Sequence, residues 1–210
     1  MSHLVHVSRQ PLVLHRLAHL RDRATGPRAF RQVVRELAQM LFFEASADLK
    51  LRQITVQTPL AESTGQELAE AVGLVPILRA GLGMADAILE LMPTAQVWHL
   101  GLYRDHQTLK PITYYNKLPA RPTLDLAFVL DPMLATGGSA VAAIDILKGW
   151  GLTRLKFLAL IAAPEGVETL RQAHPDVPIF LAALDSHLNA DKYIVPGLGD
   201  AGDRQFGTTG

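Results

Sequence analysis

The stretch LAFVLDPMLATGGSAVAAIDIL, residues 126–147, decides the fold. Its first five residues, Leu126 to Leu130, are apolar at every position and few enough for a strand, the pattern of a strand covered on both faces. Asp131 ends that run. The segment SAVAAIDILKGW (139–150) then reads as a helix. Between them lies Thr136-Gly137-Gly138-Ser139. Four consecutive backbone N–H groups at a helix start, with two hydroxyls and no bulk at the glycines, form a cradle for a phosphate. The competing reading is a tight strand-to-helix turn capped by Thr136 or Ser139. The loop is no Walker motif, because Gly-Lys-Ser/Thr occurs nowhere in the chain, which argues against a P-loop NTPase.

The same alternation extends to both sides. LVPIL (74–78) precedes GLGMADAILELM (81–92), and VWHLGL (97–102) leads towards the quoted strand. LKFLALIAA (155–163), EGVETLRQAH (165–174) and VPIFLAAL (177–184) follow it. Strands alternating with helices, several of them apolar on both faces, predict a parallel sheet flanked by helices. Such sheets bind ligands beyond the carboxyl ends of their strands. Arg79, Asp131 and the pair Pro164-Glu165 stand just after three of these runs, so three loops converge on one edge. Upstream, Phe30, Val33, Val34, Leu37, Met40, Leu41 and Ala45 give Arg28 to Ala47 a helical period. QITVQT (53–58) alternates as a half-exposed strand outside the central sheet. Tyr103 to Pro119 interrupts the pattern and predicts a protruding hairpin arm. The last 26 or so residues carry little periodicity, yet Ile194, Val195, Leu198 and Phe206 argue that they are ordered.

Composition bounds the rest. With 210 residues, 49% of them hydrophobic and 19% charged, one domain over 1–210 is expected. There is no cysteine, which removes thiolate nucleophiles, thiolate metal sites and redox pairs. Twenty Lys and Arg balance twenty Asp and Glu, so no global field draws the chain to nucleic acid or to an anionic membrane. The first residues lack the apolar core and small-residue cleavage site of a signal peptide, and no apolar run nears the roughly 20 residues that span a bilayer. A cytoplasmic protein is the expectation.

A strand-end carboxylate five residues before the Thr-Gly can accept two hydroxyls of a ribose whose 5-phosphate fills the cradle. The stretch resembles the phosphoribosyl-pyrophosphate (PRPP) loop of the type I phosphoribosyltransferases. More narrowly, VPILRAGLGM (75–84), DPMLATGGS (131–139), AAPEG (162–166) and YIVPGLGDAGDRQFGT (193–208) look like the uracil phosphoribosyltransferases, as do QPLVLHRL (10–17) and YRD (103–105). The resemblance covers essentially the whole chain. It implies the type I phosphoribosyltransferase fold, an α/β parallel sheet flanked by helices, with a hairpin arm and a C-terminal base-binding hood. It also implies transfer of the phosphoribosyl group to N1 of uracil, giving UMP and pyrophosphate.

By the same resemblance Asp131 holds the ribose, and Pro132, Met133, Leu134, Ala135, Thr136, Gly137, Gly138 and Ser139 surround the 5-phosphate. Arg79 and Arg104 face the diphosphate. Asp200 engages the diphosphate end through Mg2+ carried by PRPP or through ordered water. Backbone from Ile194 and from Gly199, Asp200 and Ala201 reads the uracil edge. Two positions depart from the wider superfamily, which has a second acid where this chain has Pro132 and, in purine-specific members, a catalytic acid where it has Ala135. The loop therefore leaves the proton acceptor for N1 unassigned. A homodimer or higher homo-oligomer and GTP as a candidate activator also belong to what the resemblance implies.

Three other signals are weaker. LRAGLG (78–83) would need a third glycine at residue 86, which is Asp86, so the dinucleotide fingerprint fails. GLGDAG (197–202) matches that fingerprint by letters, but no helix or strand is expected after it. These two failures weigh against a nicotinamide oxidoreductase. His15 and His19 stand one helical turn apart with no third ligand at a metal spacing, and read as a solvated helix face. Lys110, Tyr114 and Tyr115 lie on the arm with a dimer contact as an equal role, and Glu165 is read as stabilising a helix N-terminus. The rival function is a PRPP-binding regulator of the same fold that binds RNA; such a protein needs a basic face, which the balanced charge does not suggest.

Overall fold

Residues apolar at every position become the central strands, and the alternation inside each run divides their side chains between two cores. In the computed structural model, which describes residues 4–104 and 111–208 with backbone alone at 103, 104 and 111, the chain begins with β1 (Val5–Val7), α1 (Pro11–Arg21) and α2 (Pro27–Ala45). An antiparallel hairpin follows, β2 (Leu51–Gln57) with β3 (Glu62–Leu68). Next come β4 (Val72–Leu78), α3 (Leu82–Leu91), β5 (Gln96–Val97), β6 (Leu100–Arg104) and β7 (Pro111–Asn116). The quoted stretch gives β8 (Leu126–Leu130), β9 (Met133–Leu134) and α4 (Gly138–Trp150). The chain continues with β10 (Leu155–Ala162), α5 (Pro164–Ala173), β11 (Ile179–Leu184), β12 (His187–Leu188), β13 (Ile194–Val195) and α6 (Ala201–Phe206).

The main sheet has the order β1-β11-β10-β8-β4-β6-β7, with β5 beside β4 and β9 beside β10. Its pairs are parallel except β6 with β7. Leu74, Phe128, Leu130, Leu158 and Leu160 face α1, α2 and α3 and pack on Phe30, Val34, Leu37, Leu41, Met84 and Ile88. Val75, Val129, Phe157 and Ala159 face α4 and α5 and pack on Ile144, Leu147 and Leu170. Each fully buried side chain of this size contributes roughly 1.5–3 kcal/mol. From β4 the chain goes outward to β6 on one side and later to β8 on the other. The carboxyl ends of β4 and β8 are thus the topological switch point, where sheets of this kind open a ligand crevice.

The sequence reading meets the structure with small differences. The helix expected over 28–47 spans Pro27–Ala45, because Pro27 occupies the first turn with its fixed φ and no amide hydrogen to satisfy. QITVQT lies in β2, in its own two-stranded sheet. VWHLGL divides into β5 and β6 on either side of Trp98 and His99. The arm is the antiparallel pair β6–β7; Lys110 lies outside the described residues. His15 and His19 are exposed on α1 with their rings edge-on, centroids 4.9 Å apart.

Lys156, inside an otherwise apolar strand, is buried. Its ammonium donates to the carbonyl of Ala45 at 2.6 Å, pairs with Asp48, and lies 5.7 Å from the Phe128 and Phe180 ring centroids. It satisfies a carbonyl that the end of α2 leaves unpaired.

Candidate functional site

The loop from β8 to α4 is shaped by close packing at two glycines. Gly137 caps α4 with φ 85°, a conformation that suits glycine. A Cβ there would lie 2.9 Å from the Gly166 carbonyl oxygen and 2.9 Å from Thr169 Cβ. Gly166, in the first turn of α5, has equally little room, since a Cβ would meet the carbonyl oxygens of Ala135 at 2.4 Å and Leu134 at 2.6 Å. The loop therefore rests directly on the start of α5. This explains the glycine in AAPEG. Because the cap is Gly137, no side chain of the cap residue occupies the first amides of α4. Gly138 has nothing within 4 Å of where its Cβ would stand, so the cradle is open on that side. Thr136 and Ser139 flank the two glycines. Pro132 is buried, and its carbonyl accepts from Leu160 and Ile161 at 3.0 and 3.1 Å, which carries the chain from β8 into β9 alongside β10.

Asp131 follows β8 and is half-buried. Its carboxylate accepts the Met133 N–H at 3.3 Å. Burial, opposed in part by that hydrogen bond and reinforced by the negative charge of Asp200, pushes its pKa up to about 7. The strand-end acid of the sequence and the acid of the C-terminal motif thus share one site. A buried carboxylate raised in this way by a second one fits a partner that brings hydroxyl donors or positive charge.

Arg79 follows β4 across a cis peptide bond with Leu78. Gly81 presses this loop onto β8, since a Cβ would stand 2.4 Å from the Leu130 carbonyl oxygen. The guanidinium is 60% exposed, 3.9 Å from Asp203 and 5.8 Å from the Phe206 ring centroid. A pair at that distance and exposure is weak, so the fork stays available to an anion. Arg104 ends β6, next to β4 in the sheet; its side chain lies outside the described residues.

The C-terminal segment is ordered, as its apolar residues predict, with Ile194, Leu198 and Ala201 in the core beneath α1 and α2. Those side chains point inward, which leaves backbone as what Ile194 and Ala201 can offer a ligand. Phe206 is not part of that core. It is partly exposed and flanks Arg79. The expectation that no helix follows GLGDAG is corrected by α6, six residues long. One glycine and two aspartates in DAGDRQF hid it from a propensity reading, and it forms because Asp200 caps it, accepting the Asp203 N–H at 2.9 Å. Gly199, at φ 80°, turns the chain into that cap.

Several residues that sequence reasoning missed hold this segment. The Arg204 guanidinium donates to the carbonyls of Leu20 and Leu198 at 2.8 Å and of Asp22, and lies 4.3 Å from the Phe30 ring centroid. Gln205, fully buried, donates to the Ala80 carbonyl at 3.0 Å and so ties α6 to the Arg79 loop. Glu165 accepts the Leu188 N–H at 2.9 Å, and that bond together with one to its own backbone amide holds its pKa below the usual carboxylate range. Arg21 and Asp185 pair beneath Gly197. Asp185 carried a legible signal, as the acid that directly follows β11.

Among the described residues, no three His, Cys, Asp or Glu side chains gather as a metal site, and no helix is long and apolar enough to cross a membrane. A family model described as uracil phosphoribosyltransferase matches residues 7–208. Proteins named uracil phosphoribosyltransferase from Roseiflexus sp. (strain RS-1) and Halalkalibacterium halodurans are 66% and 56% identical over 204 and 205 residues, in each case 97% of this chain and 98% of the relative. Among solved structures, the AQ2163 protein from Aquifex aeolicus superposes with a TM-score of 0.92 at 35% identity, covering 98% of this chain and 99% of that one. A hypoxanthine phosphoribosyltransferase from Staphylococcus aureus shares the fold, at TM-score 0.53 and 10% identity over 75% of this chain and 76% of that one.

Proposed function

The chain belongs to the uracil phosphoribosyltransferase family, and on that premise we propose that it transfers the 5-phosphoribosyl group of PRPP to N1 of uracil. The products are UMP and pyrophosphate, a step of pyrimidine salvage. One observation carries the reading. A glycine-lined helix start, a strand-end carboxylate and the capped turn at Asp200 meet at the switch point of the sheet.

In this reading residues 132–139 surround the 5-phosphate, and the amides at the start of α4 donate to its oxygens. Asp131 accepts the two ribose hydroxyls and so fixes C1 for attack. Arg79, and Arg104 from the end of β6, face the diphosphate and stabilise the charge that grows on it as the C1–O bond breaks. The rest of the catalysis is positioning of N1 against C1. Backbone at Ile194 and Gly199 to Ala201 reads uracil through its O4, N3–H and O2 edge. Cytosine reverses the polarity at N3 and C4 and would leave these groups unpaired, a mismatch that costs about four orders of magnitude in sites built this way.

The carboxylate of Asp131, whose ionisation the charge of Asp200 disfavours, fits a Mg2+ ion brought in on PRPP, which would supply charge neutralisation to the leaving diphosphate. We further propose one domain over 1–210, cytoplasmic, as suits a multiply charged substrate, and a homodimer or higher homo-oligomer. Exposed Leu12, Leu14 and Phe43 beside a cleft of about 490 Å³ support self-association. GTP is kept as a candidate activator at a subunit interface, tested by sedimentation and activity with and without it.

The primary test is conversion of labelled uracil with PRPP and Mg2+, run beside cytosine, hypoxanthine and orotate. Turnover of uracil alone is expected. Asp131→Ala should lower kcat/KM for PRPP by about 10²–10³ with circular dichroism unchanged; near-normal turnover in that variant would overturn the role of Asp131.

A further inference from the structure

The turn between β13 and α6 is held by an ion pair whose arginine comes from the far end of the chain. Asp185 follows β11, its side chain only 3% exposed, and its backbone amide is pinned to the Ala162 carbonyl at 2.8 Å. Arg21, the last residue of α1, meets it in the fork-to-fork arrangement, with Nη1 on Oδ2 at 2.8 Å and Nη2 on Oδ1. Such bidentate pairs fix orientation as well as charge.

What the pair grips is a single residue. Oδ2 of Asp185 also accepts the Gly197 N–H at 2.9 Å, and Nη1 of Arg21 also donates to the Gly197 carbonyl at 2.8 Å. Both backbone polar groups of Gly197 are therefore taken, one by each partner. Gly197 has φ 64°, and a Cβ on it would stand 2.0 Å from the Ile194 carbonyl oxygen. The turn is tight there and its direction is set at this residue.

We propose that Arg21 and Asp185 are positioning residues for base recognition: by clamping Gly197 they set where Ile194 and Gly199 to Ala201 present their backbone to the pyrimidine. The inference rests on the reading of that segment as the base reader. Neither residue touches the base. A reader built of backbone has no rotamer with which to compensate, so an ångström of drift at Gly197 passes directly to its donors and acceptors. The pair holds Gly197 and not Arg79, Asp131 or the cradle, so its larger effect falls on uracil, with a smaller one on PRPP passed through Asp200 in the same segment.

The experiment is steady-state kinetics on the full-length enzyme for Arg21→Gln, Arg21→Lys and Asp185→Asn, varying uracil and PRPP separately. KM for uracil should rise about tenfold or more in Arg21→Gln and Asp185→Asn, with KM for PRPP within about twofold of wild type. Arg21→Lys, which keeps the charge but not the fork, should fall between. The double variant Arg21→Gln/Asp185→Asn should be no worse than the poorer single one. Equal rises in both KM values, or a lower melting temperature with both unchanged, would show an ordinary structural ion pair and overturn the proposal. If a variant does not fold, hydrogen exchange at Gly197 in Arg21→Lys decides instead, and unchanged protection overturns the clamp. Gly199→Val serves as the separate control on the reader. If it leaves KM for uracil unchanged, the reader assignment fails whatever the Arg21 variants do.

Discussion

The cradle at the start of α4 and the C-terminal segment around α6 lie at one site and are built in opposite ways. The cradle is made by omission. Gly137 and Gly166 bring no side chain of their own to where the loop meets α5, so backbone packs against backbone there and, at Gly137, against Thr169. The C-terminal segment is made by addition, since Arg21, Asp185, Arg204 and Gln205 reach across to hold carbonyls and amides. The first construction tolerates no added atom. The second tolerates a graded loss of grip.

The largest effect should follow from breaking the omission. In Gly166→Ala the new methyl would lie 2.4 Å from the Ala135 carbonyl oxygen and 2.6 Å from that of Leu134. Both are backbone atoms, so the loop itself must move. If the loop positions PRPP as proposed, a shift of that size costs about 10²-fold or more, and it should appear in kcat/KM for PRPP. Titration of uracil at saturating PRPP should return a near-normal KM. If the two constants change together, the cradle and the base reader are one mechanical unit and the contrast is void.

The segment held by side chains should fail more gently and differently. Arg204→Met keeps much of the contact with Phe30 but removes the donors to Leu20, Leu198 and Asp22. Charged hydrogen bonds of this kind contribute roughly 1.5–3 kcal/mol, and the carbonyls left behind regain water in part, so a stability loss of about 2–3 kcal/mol is expected in urea unfolding. Saturating uracil should recover part of it by mass action. Full wild-type stability in this variant would place the support of the segment elsewhere.

The two constructions also explain what could be read from the chain alone. LAFVLDPMLATGGS carries strand, acid, turn and helix start in one contiguous stretch, so β8, Asp131 and the cradle were all legible. The runs on either side gave the parallel sheet for the same reason, since burial on both faces leaves an apolar signature. The C-terminal segment was recognised only by its likeness to a family motif. The contacts that hold it span most of the chain, 176 residues from Arg21 to Gly197 and 184 from Leu20 to Arg204. No local pattern announces such pairings, and an arginine at the end of α1 reads as a favourable charge at a helix C-terminus. Glu165 showed the same limit. Its place in the first turn of α5 was legible, and its bond to Leu188 was not.

The smallest effect expected links the two regions through charge. Asp131 belongs to the cradle side and Asp200 to the other, and burial together with that second charge raises the Asp131 pKa to about 7. An unfolded aspartate titrates near 3.9. Below that value both states hold the proton; between it and about 7 only the folded state does, so stability falls as pH rises through this window and levels off above it. Asp131→Asn removes the titration, and every other carboxylate cancels when variant and wild type are compared at each pH. The difference in unfolding free energy should move in favour of the variant by about 1–3 kcal/mol between pH 4 and pH 8. Adding PRPP with Mg2+ should reverse the sign, because in the proposed role of Asp131 the ionised carboxylate is the form that accepts the ribose hydroxyls. The same proton should shape the rate, with kcat/KM for PRPP rising through pH 7 in the wild type and that limb missing from the variant. Parallel stability curves across the whole range would mean that Asp131 is already ionised in the empty enzyme, and the two halves of the site would then be coupled by the substrate alone.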